Sequence, residues 1–203
     1  MILAQFQTVG QDLFTRGLVP AHSGDLSIRL ADRIIISRRA SALAHLTDQD
    51  LVETGVERNG RATPAASPEL PVHRAVYRQT EAQAIIHAYP AHAGTLAMVW
   101  DEIIPIDALG IRHFERVPVL ARTPLATSRE AAHEIAAALQ TSKVVLVRGY
   151  GCFAVGQLLE ECHQWISCLE ESCRLLWLLE TMGHASPRQG TRVLSGPSAP
   201  ALP

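Results

Sequence analysis

The spacing of apolar residues changes several times along the chain, and each spacing predicts a different element. Apolar positions recur every three to four residues over 2–16, which predicts an amphipathic helix that ends at Gly17. Between Leu26 and Ser37 the spacing becomes two, which predicts two strands joined by a turn at 31–33. The Asn59-Gly60 pair favours a hairpin, so a third strand is predicted before it and a fourth after it.

Further along, strands and helices alternate irregularly, which is typical of a mixed or mostly antiparallel sheet flanked by helices. Ser67-Pro68-Glu69 predicts the start of a helix that runs through Tyr77, and Thr127-Ser-Arg-Glu130 forms a capping box before another helix. The remaining predictions are a capped turn at 46–50, a buried strand from 84 closed by Pro90, a helix at 91–100, strands at 103–109, 116–120, 143–147 and 152–155, and a long helix at 158–182.

Length and composition favour one globular domain with a sizeable core. The chain has 203 residues, of which 47% are hydrophobic and 19% charged, so we assign one domain to residues 1–184. Residues 185–203 are rich in Ser, Pro and Gly, which predicts a mobile tail. The net charge of −2 gives no general attraction to nucleic acid or to an anionic membrane, so a small-molecule ligand is expected.

The cysteines and the N-terminus predict a cytoplasmic protein. The four cysteines form no C-x-x-C pair, which argues against a zinc ribbon or a disulfide framework. No apolar run resembles a secretion signal or a membrane span.

One stretch combines a buried strand with polar side chains. Residues two apart lie on one face of a strand, so His87 and Tyr89 point the same way at the end of the apolar run that Pro90 closes. A polar pair at a strand end is typical of a functional site. The same pattern is also consistent with a satisfied core histidine and a strand-end tyrosine.

Several further segments occur in an order and spacing that match a known family. They are Gly17-Leu-Val-Pro, Ser23-Gly-Asp-Leu-Ser27, Ile35-Ile-Ser37, Leu46-Thr-x-x-Asp-Leu51, Ser67-x-Glu69-x-x-x-His73, Ile85-Ile-His-Ala-Tyr-Pro90, Ile104-Pro105, Val117-Pro118, and Val147-Arg-Gly-Tyr-Gly151 with Gly156. Together they resemble the class II aldolase and adducin-head family over residues 3 to 182. The resemblance implies a three-layer α/β/α domain around a mainly antiparallel sheet, usually assembled as a homotetramer with sites between subunits.

The resemblance also implies a metal site, and here the sequence departs from the family. Its enzymes hold a divalent metal, often zinc, with three histidines, and a nearby glutamate does acid–base work. His87 matches the first histidine and Glu69 the glutamate, whereas Tyr89 and Tyr150 stand where the other two histidines belong. A phenol must lose a proton near pH 10 to bind a metal well, so the predicted site binds no metal or binds it weakly.

Two explanations of this departure stay open. His92 is a weak candidate for a substitute ligand, and His22 and His113 lie in loops that could reach the site, although the pattern favours a surface or loop histidine for each. Alternatively, the hydroxyls of Tyr89 and Tyr150 pair with each other or with His87 in a metal-free polar pocket.

The phosphate-binding positions of the family are altered as well. They correspond to Asp25 and Ser27 in the Gly-Asp-Leu-Ser segment, to Arg39-Ala40, and to Ser67-Pro68. Asp25 adds a negative charge and Pro68 removes a backbone donor, and both changes disfavour a phosphate. Arg39 either forms a salt bridge with Asp25 or binds a differently placed phosphate or carboxylate.

Three functions are therefore considered. The family-level expectation is a metal-dependent aldehyde-lyase or epimerase that acts on a small sugar or sugar phosphate, here with an altered metal site. The second is a non-catalytic binding or structural module like the adducin head. The third is a metal-free enzyme in which Glu69 is the base and Tyr89 or Tyr150 the acid.

Overall fold

The computed structural model describes residues 2–121 and 128–184. In chain order the helices are α1 (Ile2–Thr15), α2 (Leu70–Gln79), α3 (Ala91–Ala97), α4 (Ala108–His113), α5 (Arg129–Ala138) and α6 (Leu159–Thr181). The strands are β1 (Asp25–Leu30), β2 (Arg33–Ser37), β3 (Leu51–Gly55), β4 (Ala84–Ala88), β5 (Glu102–Ile103), β6 (Val117–Leu120), β7 (Val144–Val147) and β8 (Gly151–Gly156). Short 3₁₀ helices cover Leu43–His45, Asp48–Asp50 and Thr63–Ala65.

The strands form one eight-stranded sheet in the order β3-β2-β1-β4-β8-β7-β6-β5. Only the β6–β7 pair is parallel among the pairs between these strands. The prediction of a mixed, mostly antiparallel sheet is confirmed. The central strand β4 is buried along its whole length, as its apolar composition predicts.

Two hydrophobic cores lie on opposite faces of this sheet, which makes the domain three-layered as predicted. Because side chains alternate along a strand, Ile86 of β4 joins the core beneath α1, α3 and α6, whereas Ile85 joins the core beneath α2 and α5. His87 has the same parity as Ile85 and therefore faces the α2 side. In this way the sheet directs the polar end of β4 toward the start of α2.

The structure corrects two strand predictions. No hairpin strand directly follows Asn59-Gly60: the chain continues into the 3₁₀ helix Thr63–Ala65, and Arg74 of α2 donates a hydrogen bond to the Asn59 side chain. The strand predicted at 103–109 is only the two-residue β5. Asp107 then accepts a hydrogen bond from the Gly110 N–H and caps α4, which the apolar pattern did not reveal.

Three helix boundaries also differ from the prediction. α2 begins at Leu70, because Ser67 accepts the Glu69 N–H rather than capping a helix that contains Glu69. α3 ends at Ala97 instead of residue 100. α5 is capped by Ser128, while Thr127 of the predicted capping box lies outside the described residues. The described helices include none whose length and apolar character would suit a membrane crossing.

Candidate functional site

The register of three central strands brings the polar residues together. Asp25 in β1 is the pairing partner of His87 in β4, and His87 is in turn the partner of Phe153 in β8. His73 approaches the same face from α2, one turn after Glu69. The candidate site therefore lies where the C-terminal end of β4 meets the start of α2.

Asp25 is the centre of a buried polar cluster. It is 2% exposed, and its carboxylate lies 2.7 Å from His73 Nε2 and 3.5 Å from His87 Nδ1. The Ser67 hydroxyl donates to Asp25 Oδ2 at 2.9 Å. A buried charge with several polar partners avoids most of the penalty that an isolated charge would carry.

The cluster continues beneath Asp25, away from the surface. Ser27 Oγ lies 2.6 Å from His73 Nδ1 and 2.7 Å from the Tyr77 hydroxyl. All three side chains are buried. The imidazole of His73 is therefore bound at both nitrogens and fixes the orientation of the Asp25 carboxylate.

The charges in this cluster stabilise one another. Burial alone would raise the pKa of Asp25, but the positive charges and hydrogen bonds of His73 and His87 outweigh it and hold that pKa well below its usual range. Burial alone would lower the pKa of His87, but the hydrogen bond and the negative charge of Asp25, together with Glu69, raise it.

His87 is fixed on every side. Its Nε2 lies 3.0 Å from the backbone oxygen of Tyr150, and because a carbonyl only accepts, Nε2 carries the proton. Its ring stacks on Phe153 with centroids 4.3 Å apart and faces the Tyr150 ring at 5.2 Å. The Tyr89 ring packs beside it at 4.8 Å.

Glu69 is the second buried acidic group that lines the site cavity, beside Asp25. It is 6% exposed, and the Tyr150 hydroxyl donates to its Oε1. Its Oε2 is buried without a hydrogen-bond partner among the described residues. Burial raises the pKa of this carboxyl, although His87 and the Tyr150 hydrogen bond oppose the shift.

Both tyrosines remain protonated near neutral pH. Burial and the nearby carboxylates of Glu69 and Asp25 raise the pKa of Tyr89 to about 12. Burial and the hydrogen bond to Glu69 raise the pKa of Tyr150 well above its ordinary value. Both phenols can therefore donate hydrogen bonds at neutral pH, whereas a metal ligand would have to be a phenolate.

A cavity of about 220 Å³ opens above these groups. Its lining includes the buried Glu69 and His87, Tyr89, and also His22 and the exposed Arg39. Next to Arg39, Ala40 has a φ of 58°, a left-handed conformation that costs an L-residue about 1 kcal/mol or more.

These residues do not fit the three-histidine metal site of the family. The proton on His87 Nε2 is held by the Tyr150 carbonyl, and His87 Nδ1 faces Asp25. Within residues 2–121 and 128–184, no group of three or more His, Cys, Asp or Glu side chains has an arrangement that could hold a metal ion. We therefore derive no chemical step through a metal.

The proposed substitute ligands lie mostly elsewhere. His92 bonds to Glu170 at 2.8 Å and lines a different cavity of about 610 Å³. His113 packs against Trp165 with ring centroids 5.0 Å apart. His22 does line the site cavity, but its Nδ1 lies 3.1 Å from the Ala40 backbone oxygen.

Most of the predicted site residues do meet. The cavity lining contains Asp25, Arg39, Ser67, Glu69, His87 and Tyr89, and Tyr150 joins them through Glu69. Ser27 binds His73 instead of lining the cavity, and the ion pairs of Asp25 are with His73 and His87 rather than with Arg39. The expected pairing of the Tyr89 and Tyr150 hydroxyls is wrong for Tyr150, whose hydroxyl donates to Glu69.

Sequence reasoning assigned no role to His73, Tyr77 or Phe153. His73 stands four residues after Glu69, so helical spacing would have placed it on the same face of α2 as Glu69. Tyr77 follows four residues later on that face. Phe153 gave no comparable signal, because only the sheet register brings it beside His87.

Comparison with known proteins gives consistent matches. The family model described as "Class II Aldolase and Adducin N-terminal domain" matches residues 4–177. Among solved structures, an L-fuculose-1-phosphate aldolase from Thermus thermophilus superposes with a TM-score of 0.85 and 36% identity, covering 92% of this chain and 97% of that one.

Curated relatives carry other activities in their names. A probable bifunctional methylthioribose-1-phosphate isomerase/methylthioribulose-1-phosphate dehydratase from Nocardia farcinica is 24% identical over 85% of this chain, which spans only 35% of that protein's length. A 3-oxo-tetronate 4-phosphate decarboxylase from Haemophilus influenzae is 26% identical, covering 85% of each chain.

Proposed function

Because the chain belongs to the class II aldolase and adducin N-terminal domain family, we propose that it is a lyase for a small hydroxylated carbonyl compound, with Glu69 as its acid–base residue. The observation that carries the proposal is the state of Glu69. One carboxylate oxygen is bound by the Tyr150 hydroxyl, and the other is buried and unpartnered among the described residues, beside the cavity. A carboxylate whose pKa is raised by burial is a suitable base near neutral pH.

The names of the relatives support a shared chemical step. An aldolase, a dehydratase of a hydroxyketone and a decarboxylase of a keto acid all place negative charge on a carbon next to a carbonyl. Each needs a group that moves a proton and a group that stabilises the resulting oxygen anion. This step is what we assign to the cavity.

The side chains divide these tasks without a metal. Glu69 Oε2 takes the proton from the carbon next to the substrate's carbonyl, and the electron pair of that C–H bond moves toward the carbonyl oxygen. The protonated Glu69 then returns the proton to the same carbon, while the Tyr150 hydroxyl keeps Glu69 oriented. Tyr89, which stays protonated, donates a hydrogen bond to the carbonyl oxygen as negative charge develops on it. Asp25 and His73 hold His87 in place between the two tyrosines.

The altered phosphate positions shape the choice of substrate. The hydroxyl of Ser67 is already used by Asp25 and by the Glu69 N–H, so it offers no donor to a phosphate. Arg39 is exposed at the cavity and has no ion pair with a described acid. We propose that Arg39 binds a carboxylate or another anionic end of the substrate from the outer side.

A test of the proposal is deuterium exchange, followed by proton NMR in D₂O. The probes are dihydroxyacetone, dihydroxyacetone phosphate and hydroxypyruvate, with chelated protein and with zinc-supplemented protein. We expect exchange at the carbon next to the carbonyl of at least one probe, and a loss of about 100-fold or more in Glu69→Gln. Glu53→Gln, an exposed glutamate on β3, is the matched control and should leave exchange unchanged.

Two results would overturn the lyase proposal. One is that no probe exchanges under either condition, and the other is that Glu69→Gln exchanges as fast as the wild type. Saturable binding of a probe without exchange would instead favour a non-catalytic binding module. That second candidate is supported by the hydrogen bond that already joins Glu69 to Tyr150 and by the small volume of the cavity.

The altered metal site has its own test. Elemental analysis of protein never exposed to a chelator or a nickel column should give far less than one zinc, manganese or cobalt per chain, including after a zinc soak. Tyr89→His with Tyr150→His should not by itself create a tight zinc site, because the Tyr150 backbone oxygen still holds the proton of His87 Nε2 and Asp25 still faces Nδ1. A tight zinc site in this variant would show that only the ligands have been lost. One bound metal in the wild type would refute this part of the proposal.

We also propose that the chain is a cytoplasmic homotetramer, as the family resemblance implies. Three apolar residues of α6 and its C-terminal end support self-association because they are exposed in the single chain: Trp177, Leu178 and Met182. Light scattering after size-exclusion chromatography should give about four times the chain mass of 22.1 kDa. A mass equal to one chain would contradict the tetramer and leave the lyase proposal untouched.

A further inference from the structure

A second cavity, on the opposite side of α2 from the sheet, has an unusual charge. It measures about 570 Å³, within the range of small-molecule sites. Its basic residues are Arg74, Arg78, Arg129 and His133, and no acidic side chain lines it. This is notable in a chain whose net charge is −2.

Helical spacing explains why these residues meet. Arg74 and Arg78 are four residues apart on the outer face of α2, and Arg129 and His133 are four apart on α5. The two helices pack against each other through Ala75 and Ala132, which also form part of the cavity wall. The result is a groove with an apolar floor and basic sides.

Two of the guanidinium groups have no acidic partner among the described residues. Arg74 donates only to neutral acceptors, namely the backbone oxygens of Gly55 and Arg58 and the side chains of Asn59 and Thr54. These bonds use most of its five N–H groups and hold it rigidly. Burial and the charge of Arg78 lower the pKa of Arg74, and the negative charge of Glu57 only partly opposes that shift.

The other basic groups differ in how they are held. Arg129 is exposed and has no ion pair or hydrogen bond to a described side chain, so it is available to a ligand. Arg78 pairs with Glu57 at 2.9 Å, but Glu57 is exposed and that pair contributes little. Gln79 hydrogen-bonds to His133 Nδ1 at 3.1 Å and fixes the imidazole at the groove.

We propose that this groove binds a small organic phosphate. The two guanidinium groups without an ion pair among the described residues favour a ligand with two negative charges. Arg129 can offer a phosphate paired N–H groups, whereas Arg74, whose N–H groups are mostly used, contributes mainly its charge. The apolar floor favours a ligand with an uncharged body over free phosphate. The site is separate from the Glu69 cavity and does not depend on the proposed lyase activity.

The test measures the binding of phenyl phosphate by calorimetric titration at fixed ionic strength. Inorganic phosphate and phenol, which correspond to the charged and the apolar part of phenyl phosphate, are titrated in the same way for comparison. We expect phenyl phosphate to bind more tightly than either half. Arg129→Glu should weaken that binding about tenfold or more, because a charge-assisted hydrogen bond is lost. Arg112→Glu makes the same change in net charge on the exposed face of α4 and should bind like the wild type.

Amide shifts in ¹H–¹⁵N spectra locate the binding. The proposal expects the largest shifts in α2 and α5 of the wild type, and none of comparable size in Arg129→Glu at the same probe concentration. It is overturned if Arg112→Glu weakens binding as much as Arg129→Glu, if the shifts lie around Glu69 instead, or if no saturable binding occurs. Because Arg129 makes no hydrogen bond or ion pair to a described side chain and Arg112 is exposed, both variants should keep the wild-type melting temperature.

Discussion

Replacing Asp25 by asparagine tests whether the buried ion pair stabilises the domain. The change removes the charge next to His73 and His87 but keeps the size of the side chain. Loss of one partner of a buried pair costs about 3–5 kcal/mol, and because the amide oxygen can still accept one hydrogen bond we expect about 3 kcal/mol. For a chain of this size that lowers the melting temperature by about 6–12 °C.

The effect should depend on pH in a defined way. The folded-state pKa of Asp25 is below its ordinary value of 3.8, so its contribution is present above that pH and is lost as the pH falls through the folded value. The folded-state pKa of His87 is above its ordinary value of 6.5, so its contribution is present below that pH and is lost as the pH rises through the folded value. The wild type should therefore exceed Asp25→Asn in stability most strongly between about pH 4 and 6.5.

The assay is urea unfolding of both proteins from pH 3 to 9. Ser67→Ala is the matched control, because it removes the hydrogen bonds to Asp25 and from the Glu69 N–H but no charge, and it should cost about 1–2 kcal/mol with little pH dependence. A difference between wild type and Asp25→Asn that stays below about 1 kcal/mol, or that does not vary with pH, would refute the ion-pair argument.

Three other changes test separate features. Gly151→Ala should lower the free energy of unfolding by about 3 kcal/mol or more, because the φ of Gly151 is 99° and an added Cβ would lie 2.3 Å from a backbone oxygen. Gly17→Ala is the control: Gly17 has a φ of 68° but lies in open space, so the change should cost only about 1–2 kcal/mol in thermal unfolding of the two variants. Tyr150→Phe removes a hydrogen bond that lowers the pKa of Glu69, so that pKa should rise. The pH below which the deuterium-exchange rate falls should therefore be higher in the variant than in the wild type, and an unchanged pH would contradict the assigned role of Glu69. Glu170→Ala removes the carboxylate that accepts two backbone N–H groups at the start of α3, so it should lower the free energy of unfolding in urea by about 1–2 kcal/mol. An unchanged urea midpoint would contradict this capping role.

The layers of the fold could be predicted because periodicity reports burial. The all-apolar run of β4 and the three-to-four spacing of α1 gave the right elements in nearly the right places. The errors arose where one local hydrogen bond decides the outcome. Asp107 turns an apolar stretch into the helix α4, and the Arg74 bond to Asn59 accompanies a turn where a hairpin was expected.

The sequence predicted which residues lie at the site, but not which of them bind one another. The family resemblance and strand parity identified Glu69, His87 and both tyrosines, which do lie together. The sequence could not say that Tyr150 would bind Glu69, because that contact depends on the turn between β7 and β8. It also could not give the partners of Asp25, which are fixed by sheet register and by the side of α2 that faces the sheet.

The hydrogen bond between Tyr150 and Glu69 joins residues 81 positions apart, and that between Ser27 and His73 spans 46. Such distant contacts form late in folding, after the loops between them have closed. During synthesis, Asp25, His73 and Glu69 leave the ribosome well before the segment that contains Tyr150. Asp25, Ser27, Ser67 and His73 can already pair with one another at that stage. Until the later segment folds onto β4, Glu69 Oε1 and His87 Nε2 lack the groups of Tyr150 that they bind in the folded domain. We therefore expect the site to be completed only when the segment around Tyr150 folds onto β4, and a chain interrupted before residue 150 would lack the contact between Tyr150 and Glu69.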